Sequence, residues 1–264
     1  MGRLLGTKGF DVRRYWIEKK DLSNDLVQFS GETFHHIFDV CRQQVGSKFE
    51  VLTEESKALF VEVLSVTKKS AQARVLEIRD IPHLPEPHIH LALAISRFPV
   101  MGSIVEKAVE MGVQSIQPLF SDFSFVRTQA SLPANKTERW SKIVRSATQQ
   151  SGRGDLMSIT AALNFDDFLS KLNLREQSLV LFAYEGGSTL GIKTYVQQKV
   201  QKSSTRFSDI WIFVGSEGGF SQNEVKKMQD LAFYPVSLGT QVLRVETACM
   251  ALVSVLKYEF DLMC

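Results

Sequence analysis

The sequence predicts a parallel α/β domain preceded by a small β-barrel domain, and three observations lead to this fold class. The first is a series of short apolar segments that alternate with helical stretches in the downstream part of the chain, at residues 89–95, 115–120, 179–182 and 210–214. Such alternation is typical of a parallel sheet covered by helices. The other two observations are a group of upstream strands and the prolines that follow them.

The upstream strands are predicted at residues 49–52, 58–64 and 71–76, which are short, β-rich and separated by polar turns. This pattern indicates a small antiparallel barrel. Pro82, Pro85 and Pro87 then interrupt both helix and strand hydrogen bonding. We therefore expect one domain at residues 1–80 and a second at residues 88–264.

The composition indicates a globular protein of a reducing compartment. The chain has 264 residues, 44% of them hydrophobic, and a net charge of +2, which excludes a disordered chain and a strongly basic nucleic-acid binder. Cys41, Cys249 and Cys264 are too scattered to indicate a disulfide framework or a zinc site. No apolar run approaches the length of a membrane span. We expect a soluble cytoplasmic protein without a membrane partner.

Histidines raise the question of a metal site. His88 and His90 would share one face of a strand, and His83 lies close by in the sequence. A further ligand at convincing spacing is missing, so we expect no metal.

A glycine-bearing loop, residues 215–219, directly follows the apolar run 209–214. Glycines allow a ligand to approach the main chain closely, and open α/β sheets bind ligands where their strands end. Ser221 and Glu224 have the spacing of a capping box, which predicts a helix start at about Ser221. The loop lacks both the phosphate-cradling and the dinucleotide-binding glycine patterns. A ligand loop and a plain tight turn therefore both fit this segment.

A second segment, residues 238–248, lies between a strand-like stretch and a nearly all-apolar helix at residues 247–260. Such a helix must be buried in the core or against a second subunit. Arg244, Glu246 and Thr247 at its start are then partly desolvated and need partners. The alternative is that Arg244 and Glu246 pair with neighbours at the surface.

These segments resemble the uracil-N3 methyltransferases of small-subunit ribosomal RNA, a branch of the SPOUT methyltransferases. The resemblance spans nearly the whole chain in five ordered matches, namely residues 214–225, 238–248, 106–113, 118–121 and 140–153. It implies a PUA-like first domain, a trefoil-knot second domain, and a homodimer in which the apolar helix contributes to the interface. It also implies methyl transfer from S-adenosylmethionine (SAM), the only cofactor, to N3 of a uridine in 16S ribosomal RNA.

The resemblance also implies the site residues. Main-chain groups of Gly215, Gly218, Gly219, Leu238 and Leu243 would hold adenine and ribose. Glu217 and Glu246 would either order loops or touch the cofactor. The complete expected cofactor set is Phe182, Ala183, Val214, Gly215, Glu217, Gly218, Gly219, Leu238, Gly239, Leu243, Arg244, Glu246, Thr247 and Ala248. A third pocket wall could come from the loop at residues 185–187.

Two arginines are the expected catalytic residues. Uracil N3–H is weakly acidic, so a cation beside its carbonyl oxygens would stabilise the developing anion. Arg153 and Arg244 are the candidates for this cation. Arg244 could instead anchor the knot through Glu246.

Contacts to ribosomal RNA or the small ribosomal subunit are expected from several cations. Basic residues crowd the first twenty positions, with Tyr15 and Trp16 among them as possible stacking platforms for bases. The alternative is an edge strand protected by charges. The expected RNA-binding residues are Arg13, Arg14, Arg97, Lys107 and Arg127.

The chain departs from the family pattern at a few positions. Ser216 replaces a proline, which should loosen the loop because proline fixes φ. Phe98, Pro99 and Val100 stand where charged residues are usual, and Gln149 replaces an acidic residue. Two other functions stay open: methylation of another RNA atom such as a ribose 2′-hydroxyl, and a non-catalytic RNA-binding assembly factor.

Overall fold

The computed structural model describes residues 13–175, 177–186, 190–202 and 206–263. These residues form two compact units. The first contains residues 13–83 and 148–156, and the second contains residues 84–147 and 157–263.

The first unit is built on a six-stranded sheet in the order β1-β4-β5-β6-β3-β2. Its strands are β1 Arg14–Trp16, β2 Leu22–Ser23, β3 Leu26–Ser30, β4 Lys48–Leu52, β5 Lys57–Val66 and β6 Ser70–Asp80. The neighbours pair antiparallel, with the exception of the parallel pair β1 and β4. The three predicted upstream strands are therefore present as β4, β5 and β6.

The core of the first unit follows from the alternation of its strands. In β5, Leu59, Val61 and Val63 are buried while the side chains between them are less so, as expected for a sheet with one covered face. A short helix α1, Gly31–Phe34, continues into a π-helical segment, His35–Val40. Phe34, Ile37 and Phe38 from these turns are buried in the same core.

The second unit is built on an eight-stranded sheet in which every pairing is parallel. Seven strands run in the order β10-β8-β7-β13-β11-β14-β12, and β9 pairs with β8. The strands are β7 His88–Ala94, β8 Ser115–Phe120, β9 Ser158–Ile159, β10 Leu163–Asn164, β11 Ser178–Ala183, β12 Leu190–Gly191, β13 Asp209–Val214 and β14 Tyr234–Ser237. The predicted parallel sheet is confirmed.

The helices among the described residues are α2 Phe98–Glu110, α3 Ala134–Ser151, α4 Phe165–Lys171, α5 Ile192–Lys202, α6 Gln222–Asp230 and α7 Val245–Glu259. None of them is both long and apolar enough to cross a membrane.

The last helix, α7, buries one continuous stripe of its surface. The stripe is Val245, Ala248, Cys249, Leu252, Val253 and Leu256, which follows the three- and four-residue spacing of one helix face. This face packs on α2, α5 and β13. Burial raises the pKa of the Cys249 thiol to about 12, so the thiol stays protonated and serves as a packing group.

The strand order places three carboxyl ends side by side. β11 lies between β13 and β14, so Val214, Ala183 and Ser237 end neighbouring parallel strands. Loops that leave these ends meet at one edge of the sheet, where α/β folds bind ligands.

A hydrogen-bonded chain lies near the opposite ends of the strands. His90 stacks on Trp211, with ring centroids 4.6 Å apart. Its Nδ1 lies 2.7 Å from the Ser115 hydroxyl and its Nε2 lies 3.1 Å from Asp209 Oδ1. A carboxylate can only accept, so Nε2 carries the proton and Nδ1 accepts from Ser115 when the ring is neutral. Burial lowers the pKa of His90, against the opposing effect of Asp209.

We expect His90 to contribute to the acid sensitivity of the fold. Its pKa is lower in the folded than in the unfolded chain, so the unfolded chain binds more protons and stability falls as pH drops through about 6.5. The loss in free energy of unfolding between about pH 7.5 and pH 5.5 should be smaller in His90→Gln. Urea unfolding at both pH values measures this. An equal loss in both proteins would contradict the assignment.

Candidate active site

A cavity of about 770 Å³ lies at the carboxyl edge of β11, β13 and β14. Its walls are the turns after these strands, at residues 183–186, 214–220 and 236–239, with residues 241–246, Ala248, Arg97 and Val100. The volume falls in the range of sites for small molecules and cofactors. Three turns and the start of α7 therefore surround it.

The turn after β13 folds back tightly on itself. The Gly219 N–H donates to the Ser216 carbonyl at 2.9 Å, and Gly219 has φ +71°, which favours glycine. A Cβ atom on Gly215 would lie 2.5 Å from the Gly219 carbonyl carbon. Glycine at position 215 is therefore a steric requirement of this turn.

Two side chains fix the same turn to its neighbours. The Glu217 carboxylate accepts the Arg97 backbone N–H at 3.1 Å, at the N-terminus of α2. This geometry assigns Glu217 a loop-ordering role, and its negative charge also suits the positive end of the helix. The buried Ser216 hydroxyl donates to the Phe123 carbonyl at 2.5 Å. A proline could not make this hydrogen bond. Ser216 therefore fixes the loop through its side chain, in place of the restriction on φ that a proline would impose.

The helix after this turn begins as predicted. Ser221 caps α6 by accepting the Glu224 N–H, while Glu224 accepts the Ser221 N–H at 2.9 Å. Glu224 also accepts the Asp122 N–H at 3.0 Å. The capping box is confirmed, and it ties the end of the turn to the segment that follows β8.

The turn after β14 supplies the opposite wall. Gly239 has φ +126°, and its N–H donates to the Ser237 hydroxyl at 3.2 Å. Arg244 is the N-terminal capping residue of α7, and Glu246 lies in the first turn. Arg244 is exposed and makes no ion pair with Glu246 in the described part of the chain. Its guanidinium is thus available to a ligand, and the anchor role through Glu246 lacks a contact.

Most of the expected cofactor residues are brought together. The cavity is lined by Ala183, Val214, Gly215, Glu217, Gly218, Gly219, Leu238, Gly239, Leu243, Arg244, Glu246 and Ala248. Phe182 instead lies in the core with Phe213, because alternate residues of β11 point to opposite faces. Thr247 is exposed on α7 and does not line the cavity.

The other expected catalytic residue, Arg153, belongs to the first unit. Its side chain is only 5% exposed, and Nε and Nη2 each donate to Asp155 at 2.9 Å. Such a bidentate pair holds the guanidinium in one orientation. Arg153 does not line the cavity.

The expected RNA-binding cations differ in their surroundings. Arg14 pairs with Glu50 at 3.0 Å, and Lys107 pairs with Glu110 at 3.1 Å. Arg13 is exposed and donates to the Cys41 carbonyl at 3.2 Å. Their charges are thus partly neutralised or already engaged.

Arg97 and Arg127 are exposed and form no ion pair within the described ranges. Arg97 lines the main cavity. Arg127 lines a smaller polar cavity of about 320 Å³, whose charged lining also includes Lys227 and the carboxylates of Asp122, Asp166 and Glu224. These two cations are the better placed to meet phosphates.

The expectation for the basic N-terminal segment needs correction. Tyr15 and Trp16 are 3% and 2% exposed, in two different hydrophobic clusters, so neither can stack on a base. They are buried because β1 pairs with β4 and sends consecutive side chains into two cores. Lys19 and Lys20 pair with Glu55 and Glu18. Arg3 and Lys8 lie outside the described residues.

Several pocket residues escaped the sequence analysis. Tyr184 lines the cavity but belongs to no motif, and Gln241 and Val242 line it from the second segment without having been named as site residues. Val100 was noted only as a departure from the family pattern, and Arg97 was assigned only to RNA. Glu185 and Gly186 do form the third wall, as predicted, while Gly187 is outside the described residues. The signal for this wall was the position of these residues directly after an apolar run. Within the described ranges, His, Cys, Asp and Glu form no group of three or more that could hold a metal ion.

The fold and site define a two-unit α/β protein with a ligand-sized pocket at the carboxyl edge of its parallel sheet. The RNA methyltransferase domain family matches residues 83–257, and the RNA methyltransferase PUA domain matches residues 29–76. The first match covers more than half of the chain. This protein therefore belongs to the RNA methyltransferase family.

Named relatives and solved structures agree with this membership. Ribosomal RNA small subunit methyltransferase E of Aquifex aeolicus is 30% identical and covers 88% of this chain and 94% of its own. The protein of the same name from Buchnera aphidicola is 26% identical over 96% of each chain. A Legionella pneumophila methyltransferase solved with bound SAM has a TM-score of 0.83 and 25% identity, and the match covers 95% of this chain and 98% of the other.

We expect Ser216→Ala to destabilise the protein by about 1 kcal/mol, because it leaves the Phe123 carbonyl without its buried donor. Ser170→Ala is the matched control, since the exposed Ser170 hydroxyl also donates to a backbone carbonyl. The control should change the free energy of unfolding by less than about 0.5 kcal/mol. Urea unfolding measures both. Equal effects would show that the Ser216 bond contributes nothing specific.

Proposed function

We propose that this protein is a SAM-dependent methyltransferase that methylates N3 of a uridine in 16S ribosomal RNA. The observation that carries the proposal is the cavity framed by the turns after β11, β13 and β14, in a chain of the RNA methyltransferase family. Relatives named for methylation of small-subunit ribosomal RNA support the substrate. The Legionella structure with bound SAM supports the cofactor.

The residues of the cavity fit SAM. Gly219 leaves the main chain of its turn open to close approach, since a Cβ atom there would meet no atom within 4 Å. Main-chain groups of Gly218, Gly219, Leu238 and Leu243 would hold adenine and ribose, and Glu246 would face the cofactor. SAM supplies an already activated methyl group. The protein therefore acts mainly by alignment of donor and acceptor, which can supply much of the rate enhancement.

The acceptor nitrogen must lose a proton in the reaction. Arg244 is exposed at the pocket wall, so its guanidinium could face the uracil carbonyl oxygens. A fixed positive charge there would stabilise the anion that develops on the ring. Arg153 is the second proposed cation on the family resemblance alone, because its guanidinium is buried against Asp155 and does not line the cavity. Because N3 takes part in base pairing, the target uridine must be unpaired or extruded.

The remaining parts of the proposal concern organisation. Residues 1–80 would act as a PUA-like RNA-binding barrel, and residues 88–264 as the methyltransferase domain with a trefoil knot in its backbone. The match to the PUA domain and the parallel sheet support these assignments. We further propose a cytoplasmic homodimer in which α7 contributes to the interface. Met250, Ala251 and Val255 support this, because they are apolar and only partly buried on α7.

We expect Gly215→Ala to weaken SAM binding more than tenfold, because the added methyl group forces the turn open. Gly191→Ala is the matched control, since a Cβ at this exposed position meets no atom within 4 Å. The control should bind SAM like the unaltered protein. Isothermal titration calorimetry measures both affinities. If the two variants bound SAM equally well, the cavity would not be the SAM site.

We expect the protein to produce 3-methyluridine in 16S ribosomal RNA, detected by mass spectrometry of the digested nucleosides. Arg244→Ala should lower turnover about 100-fold, which is more than it weakens SAM binding, because the guanidinium acts on the anion that forms in the reaction. Arg153→Ala should abolish methylation and leave SAM affinity nearly intact. A 2′-O-methylated product would show that the protein methylates ribose and not N3. SAM binding without any methylated product would contradict the proposed activity.

Asp155→Asn controls for the structural importance of Arg153, because it weakens the ion pair and keeps the guanidinium. If Asp155→Asn lost as much activity as Arg153→Ala, the role of Arg153 would be structural.

A further inference from the structure

Three phenylalanines lie beside the cavity on the surface of the second unit, and two of them are strongly exposed. Phe123 and Phe125 are 47% and 55% exposed, and they follow β8. The Phe98 ring, at the start of α2, packs edge-on to Phe125 with centroids 5.5 Å apart. We call these three residues the aromatic patch.

The exposure of these rings does not come from a loosely held chain. Ser124 between them is buried, donates to the Leu119 carbonyl at 3.2 Å, and accepts the Ser121 N–H at 3.0 Å. The Phe125 N–H donates to the Ile95 carbonyl at 2.8 Å. The backbone thus directs both rings outward from a fixed turn.

The aromatic patch adjoins the cavity directly. Phe98 follows Arg97, which lines the cavity. The Phe123 carbonyl accepts the Ser216 hydroxyl, and a Cβ on Gly218 would lie 2.9 Å from the Phe123 Cβ. Whatever binds on the patch is therefore next to whatever enters the cavity.

Three cations lie on the segments that carry the patch. Lys136 Nζ lies 4.6 Å from the centroid of Phe98, and Arg97 and Arg127 are exposed on either side in the sequence. Two carboxylates on neighbouring segments are held by neutral donors, because Glu217 accepts the Arg97 N–H and Asp122 accepts the Ser221 hydroxyl. Cations around exposed rings suit a polyanion that carries flat bases.

The area of the patch argues against a protein partner. A phenylalanine buries at most about 250 Å², so two half-exposed rings offer roughly 250 Å² in total. A stable protein interface needs about 800 Å² from each partner. A stacked nucleotide, in contrast, needs only one ring and a nearby phosphate-binding cation.

We propose that Phe125, with Phe123 beside it, is a stacking platform for unpaired RNA nucleotides that flank the target uridine. Phe98 holds the Phe125 ring in orientation, and Arg97, Arg127 and Lys136 meet the phosphates. This inference rests on the proposed function, because it takes single-stranded RNA as the substrate. It adds the residues that hold the RNA beside the reacting base.

The test measures binding of a short fluorescein-labelled oligouridine by fluorescence anisotropy. Phe125→Ala should weaken binding about tenfold, the order expected for loss of one stacked base. Phe125→Leu should weaken it similarly, because leucine keeps apolar area and loses the flat ring. Phe125→Tyr should retain affinity within about twofold, since it keeps the ring.

Leu231→Ala is the control for exposed apolar area, because Leu231 is 49% exposed in the same unit. It should leave RNA affinity unchanged. SAM affinity and the sedimentation coefficient should be the same in all variants. The platform would be overturned if Phe125→Leu bound oligouridine as tightly as the unaltered protein. It would also be overturned if the unaltered protein did not bind oligouridine. A changed sedimentation coefficient in Phe125→Ala would show a protein contact instead.

Methylation of 16S ribosomal RNA separates this inference from the proposed function. If the unaltered protein binds oligouridine and forms no 3-methyluridine, the N3 proposal fails and the platform stands. If it forms 3-methyluridine and Phe125→Ala has the same KM for RNA, the platform fails and the function stands. The expected result is a KM for RNA raised about tenfold with kcat nearly unchanged, because stacking holds flanking nucleotides before and during the reaction.

Discussion

The close approach of Gly215 to the Gly219 main chain is the constraint on which the site depends. The turn after β13 can fold back only because position 215 has no side chain. The folded turn then brings Glu217 to the N-terminus of α2 and Ser216 to the Phe123 carbonyl. The turn in the cavity wall is thus hydrogen-bonded both to the start of α2 and to the segment after β8.

The parallel sheet places this turn beside the turns that follow two other strands. The carboxyl ends of β11, β13 and β14 are neighbours, although their positions in the sequence are far apart. A cavity built from turns after adjacent strands presents main-chain donors and acceptors that side-chain motion cannot remove. Arg244 and Glu246 then add opposite charges from the start of α7. Rigid polar main chain and a few charged groups suit a ligand that must be held in one orientation.

Much of this arrangement could be predicted, because it depends on short-range patterns. The apolar runs that became β7, β8, β11 and β13, the glycines of the turn, and the Ser221–Glu224 capping box are all local signals. Resemblance to a known family placed Leu238 and Leu243 in the same site. Twelve of the fourteen expected cofactor residues line the cavity. The exceptions are Phe182 and Thr247, whose side chains lie on faces of β11 and α7 that do not border the cavity.

The features that sequence could not supply depend on contacts between distant residues. Nothing local indicates that Tyr15 and Trp16 enter two separate cores, because this depends on the pairing of β1 with β4. The same holds for the Ser115–His90–Asp209 hydrogen-bonded chain, whose members lie on three strands. The hydrogen bond from Ser216 to the Phe123 carbonyl could not be predicted either. The loss of a proline at position 216 alone predicts a looser loop, because proline fixes φ.

The consecutive residues Arg97 and Phe98 connect two surfaces. The amide of Arg97 is bound by Glu217 from the cavity wall, while the ring of Phe98 supports the exposed Phe125. Because these residues are consecutive at the start of α2, the covalent backbone and the first turn of the helix fix the distance between the cavity and the aromatic patch. A strand of RNA would have to match that fixed distance, so selection among uridines could operate through the spacing of neighbouring nucleotides as well as through their identity.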